Sequence, residues 1–263
     1  MNRPKAHRSA PWIVLACSIL TSARVSAKPL DTPLKVAAAA DLANAFEAVG
    51  AAYEKAYGQK VIFSFGSTGL LAKQLEEGAP FDVFAAANIS FADETIAAGA
   101  CQASSKALYA RGRIVVWVKK GAPLPKTLAD LADAQYLKIA IANPEHAPYG
   151  KAAMQAFEKA KIASRIKKRL VYGENIQQTL QFAQSGNVEA AVVALSLAIG
   201  SNGDWLVIDE KLHQPIDQAM VVCSEKPERV SVARSFEAFV NSSAGRAIMK
   251  RFGFLLPGEA QAN

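Results

Sequence analysis

Two apolar runs in this chain end in small or hydroxyl-bearing residues and then pass into helical periods. Val61 to Phe63 leads into Phe65-Gly66-Ser67-Thr68-Gly69. Ile139-Ala140-Ile141-Ala142 leads into Asn143-Pro144-Glu145-His146-Ala147-Pro148-Tyr149-Gly150. A strand that feeds a helix through such a turn leaves the first helical N–H groups without intrahelical partners and puts the positive end of the helix dipole there. That junction suits an anion. Found in both halves of one chain, it points to α/β units whose strand ends face a shared cleft.

The alternation runs through most of the sequence. Leu34 to Ala40 reads as a strand. A helix from Asp41 to about Tyr57 follows, with Leu42, Phe46, Val49 and Tyr53 on one face and Gly58 as its stop. Lys60 to Phe65 is a strand, Thr68 to Glu77 a helix, Phe81 to Ala86 a strand and Ser90 to Ala98 a helix. The strands are nearly continuous in apolar residues, which argues a parallel sheet covered on both faces. Arg113 to Val118 reads as a strand and Thr127 to Asp133 as a short helix. A second alternating unit begins at Leu137. It runs through helices at Pro148 to Lys159 and Ser164 to Arg169, a strand at Leu170 to Tyr172, a helix at Asn175 to Gln184 and a strand at Val188 to Leu195. The chain closes with a strand at Gln218 to Cys223 and helices at Val230 to Asn241 and Ser243 to Lys250.

Residues 1–27 read as a targeting segment. Arg3, Lys5 and Arg8 form a basic start, Pro11 to Leu20 is mostly apolar but too short for a membrane span, and Val25-Ser26-Ala27 is a small-residue cleavage site. Val14-Leu15-Ala16-Cys17 loosely resembles a lipoprotein processing site, so lipid anchoring at Cys17 is the alternative. The reading otherwise is an exported chain of about 236 residues, enough for two lobes with a core each. The formal charge of +7 drops to about +3 once Arg3, Lys5, Arg8 and Arg24 leave with the leader. No basic stripe or nucleic-acid module accompanies it, so nucleic acid is not expected as a partner. Cys101 and Cys223 remain, and an oxidising compartment would permit a disulfide, but spacing alone does not decide the pairing. His146 and His213 are isolated, and no cation-binding cluster can be drawn.

Four junctions are candidate site elements. Ala40-Asp41 opens the first helix: Asp41 either points its carboxylate into the cleft, where it would oppose an anion, or caps the helix with the carboxylate turned away so that only its N–H faces a ligand, and the cap is the favoured reading. Ser67 and Thr68 bring two hydroxyls between two glycines. Pro148 fits a first helical turn, with the Tyr149 hydroxyl or amide beside it. Asn175 can cap the helix beginning at Ile176. Each is common by itself as an ordinary cap or turn. Together, and without a G-x-S-x-G elbow, P-loop, H-E-x-x-H or G-x-G-x-x-G, they argue a cleft that grips an anion through neutral donors. The rival readings are a receptor for another anion, sulfate or an organic carboxylate, and an exported hydrolase using Ser67 or Ser196, which would need a His–carboxylate pair beside the serine.

At AAAADLANAF, FSFGSTGLLAKQLEEGAPFDVFAAA, IAIANPEHAPYG, YGENIQQTLQFAQSG and GRAIMKRFGF the chain resembles the periplasmic molybdate-binding proteins of ABC transporters. The resemblance covers nearly all of the chain after residue 27, in order. It implies a two-lobed type II periplasmic-binding-protein fold, each lobe a mostly parallel sheet flanked by helices, with two crossover strands and an oxyanion in the cleft. We place lobe 1 at residues 28–112 plus 219–263 and lobe 2 at 113–218, hinged near Tyr109 to Ile114 and Gln218 to Val222. The implied ligand is molybdate, and tungstate with it. The partner is a permease in the inner membrane, and the chain is expected to be a periplasmic monomer with no cofactor, no catalytic residue and no free cation. The oxyanion residues carried over are Asp41, Thr68, Tyr149 and Ile176, with Ala40 and Ser67 as neighbours. A tyrosine used by some members falls on Ala194, and Tyr149 is expected to make up for it. Nothing in the sequence compensates Asp41, where relatives often carry Ser, Thr or Asn.

Overall fold

The computed structural model describes residues 28–259; the targeting segment and Cys17 lie outside the described residues. The chain begins with β1 (Leu34–Ala39), a 3-10 turn at Ala40–Leu42 and α1 (Ala43–Tyr57), followed by β2 (Val61–Gly66), α2 (Thr68–Glu76), β3 (Val83–Ala86), α3 (Ile89–Ala97) and β4 (Ala107–Gly112). It continues as β5 (Ile114–Lys119), β6 (Ile139–Ala142), α4 (Pro148–Lys159), α5 (Ala163–Ile166), β7 (Leu170–Gly173), α6 (Ile176–Gln184), β8 (Ala190–Ala194), α7 (Leu195–Ala198) and β9 (Gly203–Val207). It ends with β10 (Ile216–Val222), α8 (Pro227–Val240) and α9 (Ser243–Arg251).

These strands form two five-stranded sheets of the same topology, β2-β1-β3-β10-β4 and β7-β6-β8-β5-β9. In each, the three strands joined by crossover helices pair in parallel. A single strand runs against the rest: β10 in the first sheet and β5 in the second. Each opposed strand is the one that the chain enters from the other sheet. The chain leaves the first sheet after Gly112 and returns at Ile216, so residues 216–218, drawn with the second lobe from sequence, hydrogen-bond in the first sheet. The expectation of mostly parallel sheets flanked by helices holds, with this one antiparallel strand per sheet.

The predicted elements differ from the observed ones where burial is partial. β4 and β9 are edge strands, each paired on one side only; they are short and mix buried with exposed or half-buried residues. The segment expected as a helix at Thr127 to Asp133 is a 3-10 turn, Leu128–Ala132, held by a reciprocal Thr127–Asp130 capping box. Gly58 ends α1 at φ 70° and returns its amide to the Glu54 carbonyl, as a left-handed C-cap should.

The first lobe packs Phe46, Tyr53, Phe63 and Phe236 in mutual aromatic contact between β2, α1 and α8. Such pairs add roughly 0.5–1.5 kcal/mol beyond the area they bury. Asp82, in the GAPFDVF segment, is buried; it accepts from the Lys35 amide at 2.8 Å and pairs with Arg229 of α8. Cys101 and Cys223 are bonded, tying the segment after α3 to the end of β10. No helix among the described residues is long and apolar enough to cross a membrane.

Candidate functional site

The carboxyl ends of β1, β2, β6 and β7 converge between the sheets. There Ala40, Asp41, Ser67, Thr68, Tyr149 and Ile176 line one chamber together with Gly66, Ala87, Ala147 and Pro148. All six residues singled out from sequence therefore meet, although they come from four junctions in both halves of the chain. All six are buried. None of the ten lining residues is Lys, Arg or His.

The donors left over at each helix start follow from local capping. In α6, the Asn175 side chain takes the Gln177 and Gln178 amides, both at 3.0 Å, leaving the Ile176 amide. In α2, the Gly69 amide donates to the His146 carbonyl at 3.0 Å, leaving the Thr68 amide. In α4, Pro148 has no N–H and Tyr149 supplies the next one. Thr68 Oγ1 accepts from the Ala87 amide at 3.3 Å, so its own hydrogen is available to the chamber. Each of these groups is an acceptor's partner by geometry, and the helix dipoles add to them.

Three expectations about side chains are corrected, the first two of them linked. Asp41 does not cap a helix: the turn at Ala40–Leu42 has Ala39 as N-cap and no side-chain cap bond. The Asp41 carboxylate sits instead between Gln218 of its own sheet and Tyr149 of the other lobe. Its Oδ2 accepts from Tyr149 Oη at 2.8 Å and from Gln218 Nε2 at 2.7 Å, and Gln218 Nε2 also reaches Tyr149 Oη at 3.1 Å. The supposed uncompensated residue thus has two partners. Tyr149 is correspondingly not a free hydroxyl donor in place of a tyrosine at Ala194, because its hydrogen belongs to Asp41. The third correction concerns Ser67, whose Oγ donates to the His146 carbonyl at 2.7 Å and lies 2.8 Å from His146 Nδ1. Its hydroxyl joins the lobes, and Thr68 keeps the available one.

Burial pushes the Asp41 carboxyl up to about 6, even though the bonds from Gln218 and Tyr149 pull it down. The Tyr149 phenol is pushed well above its ordinary range, first by burial and then by the Asp41 charge. Asp41 Oδ1 and Gln218 Oε1 are buried without a hydrogen-bond partner among the described residues. Gly112, where the chain crosses between sheets, makes room for this cluster: a Cβ there would lie 1.9 Å from Tyr149 Oη.

Sequence reasoning missed Gln218, His146 and Gly112. Gln218 sits in an apolar strand and Gly112 between two arginines, and neither position carries a local signal of what it will face. His146 was visible in the third junction, yet nothing in its neighbours announced a contact with Ser67. The hydrolase reading fails on this geometry. Ser67 has a histidine but no carboxylate bonded behind that ring among the described residues, and Ser196 Oγ donates to the Asp41 carbonyl at 2.7 Å. No group of three or more His, Cys, Asp or Glu able to hold a metal ion occurs among the described residues.

Two α/β sheets of equal topology, with a chamber of neutral donors closed between their strand ends, define a cleft-type binding protein. The chain belongs to the bacterial extracellular solute-binding protein family, whose profile matches residues 34–255. It is 32% identical to the molybdate-binding protein ModA of Azotobacter vinelandii over 248 residues, 92% of this chain and 95% of that one. It is 31% identical to the ModA of Rhodobacter capsulatus over 222 residues, 83% and 86% of the two chains. The solved periplasmic molybdate-binding protein of Azotobacter vinelandii superposes with a TM-score of 0.79 at 27% identity, covering 85% of this chain and 99% of that one. Proteins of this family bind solutes and are not enzymes.

Proposed function

We propose that this chain is an exported receptor that captures molybdate, and tungstate with it, for an ABC importer in the inner membrane. The observation that carries the reading is the chamber itself. Residues from four strand-to-helix junctions face one another there, and no cationic side chain is among them. A tetrahedral oxyanion matches first-turn amides arriving from several directions plus the Thr68 hydroxyl. Its charge is met by dipoles rather than by a Lys or Arg. The relatives named molybdate-binding support the choice of ion. Molybdate and tungstate would be selected over sulfate by size, since the ions carry equal charge and the smaller one makes longer hydrogen bonds in the same cage.

On this reading residues 1–27 direct export, the mature protein is a periplasmic monomer, and the two lobes, with residues 216–218 counted in the first, close about the crossovers between Gly112 and Ile114 and just before Ile216. The closed form is what the permease would read. Calorimetric titration of the mature protein with molybdate, tungstate, sulfate and phosphate tests it. Tight one-to-one binding of molybdate and tungstate is expected, with sulfate and phosphate much weaker. Sulfate binding as tight as molybdate would remove the molybdate assignment.

A further inference from the structure

The carboxyl group of Asp41 is an odd component for an anion site. It is 1% exposed, lines the chamber and lies among helix starts that favour negative charge in a ligand. Its two oxygens are used differently. Oδ2 accepts two hydrogen bonds, from Tyr149 and Gln218, as a carbonyl oxygen would. Oδ1 has no partner among the described residues. An ionised Oδ1 beside a dianion would set two acceptors against each other in a buried chamber, where an unsatisfied charged acceptor is most costly. A hydrogen on Oδ1 removes that conflict, because this unpartnered atom of a chamber-lining residue can then donate to the ligand while Oδ2 keeps both of its donors.

Resting on the oxyanion reading above, we propose that Asp41 enters the ligated state as a neutral carboxylic acid that donates through Oδ1–H, so that capture of a dianion takes up one proton from solvent. The balance is simple: an ionised Asp41, one proton and one dianion give one complex whose net charge is that of the ligand plus the neutral acid. The proton is a second ligand, and Asp41 is a donor of the site rather than a cap beneath it.

The groups around Asp41 leave it as the titrating one. α4 brings the Tyr149 phenol and β4 the Tyr109 phenol, both pushed well above their ordinary range by burial and by Asp41. β10 brings Gln218, which does not titrate. The 3-10 turn also packs against α1, α6, α7 and β2, whose nearest residues include Ala43, Ile176, Ser196 and Gly66 and carry no charge there. His146 lies across the junction on Ser67. Burial already holds the Asp41 carboxyl near 6 in the absence of an anion, and a bound dianion moves it in the same direction.

Calorimetry with molybdate at pH 8, in two non-oxyanion buffers of different ionisation enthalpy, reads the proton directly. Wild type is expected to take up about one proton per molybdate bound. Its affinity should fall about tenfold per pH unit between pH 7 and 9, where molybdate is a dianion. Asp41→Asn should take up none and show a flat profile. An infrared difference spectrum of wild type alone, which needs no variant to fold, should gain the C=O band of a protonated carboxylic acid on binding. Tight binding with no proton uptake and no such band would overturn the inference while leaving the oxyanion reading intact. Uptake that persists in Asp41→Asn and disappears in His146→Gln would assign the proton to the imidazole and overturn it as well. A mature protein that binds none of molybdate, tungstate, sulfate or phosphate would remove the oxyanion reading, and this inference with it.

Discussion

Thr68 is the first residue of α2, and its hydroxyl is the side-chain donor in the chamber that no other protein group claims. Thr68→Val keeps the shape and removes one hydrogen bond to a charged ligand, which is worth roughly 1.5–3 kcal/mol. Molybdate affinity should fall about 10- to 100-fold by calorimetry, and Thr68→Ser should restore most of it. An unchanged affinity in a folded Thr68→Val protein would reduce Thr68 to a partner of the Ala87 amide. Glu237 poses a separate residue-scale problem. It is buried in α8 with Oε1 unpartnered among the described residues, and burial pushes its carboxyl up to about 8. A carboxyl whose folded pKa is raised binds its proton more tightly in the native state, so its contribution to stability falls as pH rises from about 4.5 to about 8. Glu237→Gln should therefore raise Tm at pH 9 by several degrees, at roughly 2–4 °C per kcal/mol. The gain should shrink or vanish at pH 4. An equal gain at both pH values would refute the titration as its cause.

At the level of elements, α8 is held against the first sheet by Arg229, whose guanidinium pairs with buried Asp82 and also donates to Thr32 Oγ1 and the Pro33 carbonyl, both at 2.9 Å. Removing one partner of such a pair leaves a buried charge uncompensated, which costs about 3–5 kcal/mol. Arg229→Ala should lower the urea midpoint accordingly, and Asp82→Asn in the same background should recover part of the loss. No recovery in the double variant would show that Arg229 acts through packing alone. The Cys101–Cys223 bond closes a loop with a sequence separation of 122, within which β4 through β10 all lie. Long loops gain most in the chain-entropy account, and typical disulfides contribute about 2–4 kcal/mol. Reduction should lower Tm by several degrees without abolishing molybdate binding, because neither cysteine lines the chamber.

Contacts between the lobes surround the chamber: Gly69 and Ser67 on His146, Tyr149 on Asp41 and Gln218, and Ser196 on the Asp41 carbonyl. A ligand that binds only when these surfaces meet stabilises the closed form by mass action. Molybdate at about 100 times its Kd should add about 2.7 kcal/mol, raising Tm by roughly 5–10 °C. Gly112→Ala would drive a methyl group into the space of the Tyr149 hydroxyl. That variant should fold, lose at least about tenfold in affinity, and show a smaller ligand-induced Tm shift than wild type. A full shift in Gly112→Ala would mean that Tyr149 need not seat against the crossover for closure.

The alternation of strands and helices, the four junctions and the Asn175 cap could all be read along the chain, because they depend on local backbone preference and on burial that repeats with a fixed period. The meeting of those junctions was implied by the family resemblance. The edge strands β4 and β9 escaped, since their short runs, Ala107–Ala110 and Trp205–Val207, stand beside charged residues and have no helical period next to them to mark an α/β unit. The roles of the buried polar atoms, by contrast, depend on partners far away in sequence. Asp41 is 108 residues from Tyr149 and 177 from Gln218, and its neighbours in sequence suit a cap as well as a cross-lobe partner. A lone carboxylate beside a helix start takes the nearest amide unless packing offers better donors. Here two arrive from other elements: Gln218 from β10 of the same sheet, and Tyr149 from α4, which only the folding of both lobes onto one another brings there.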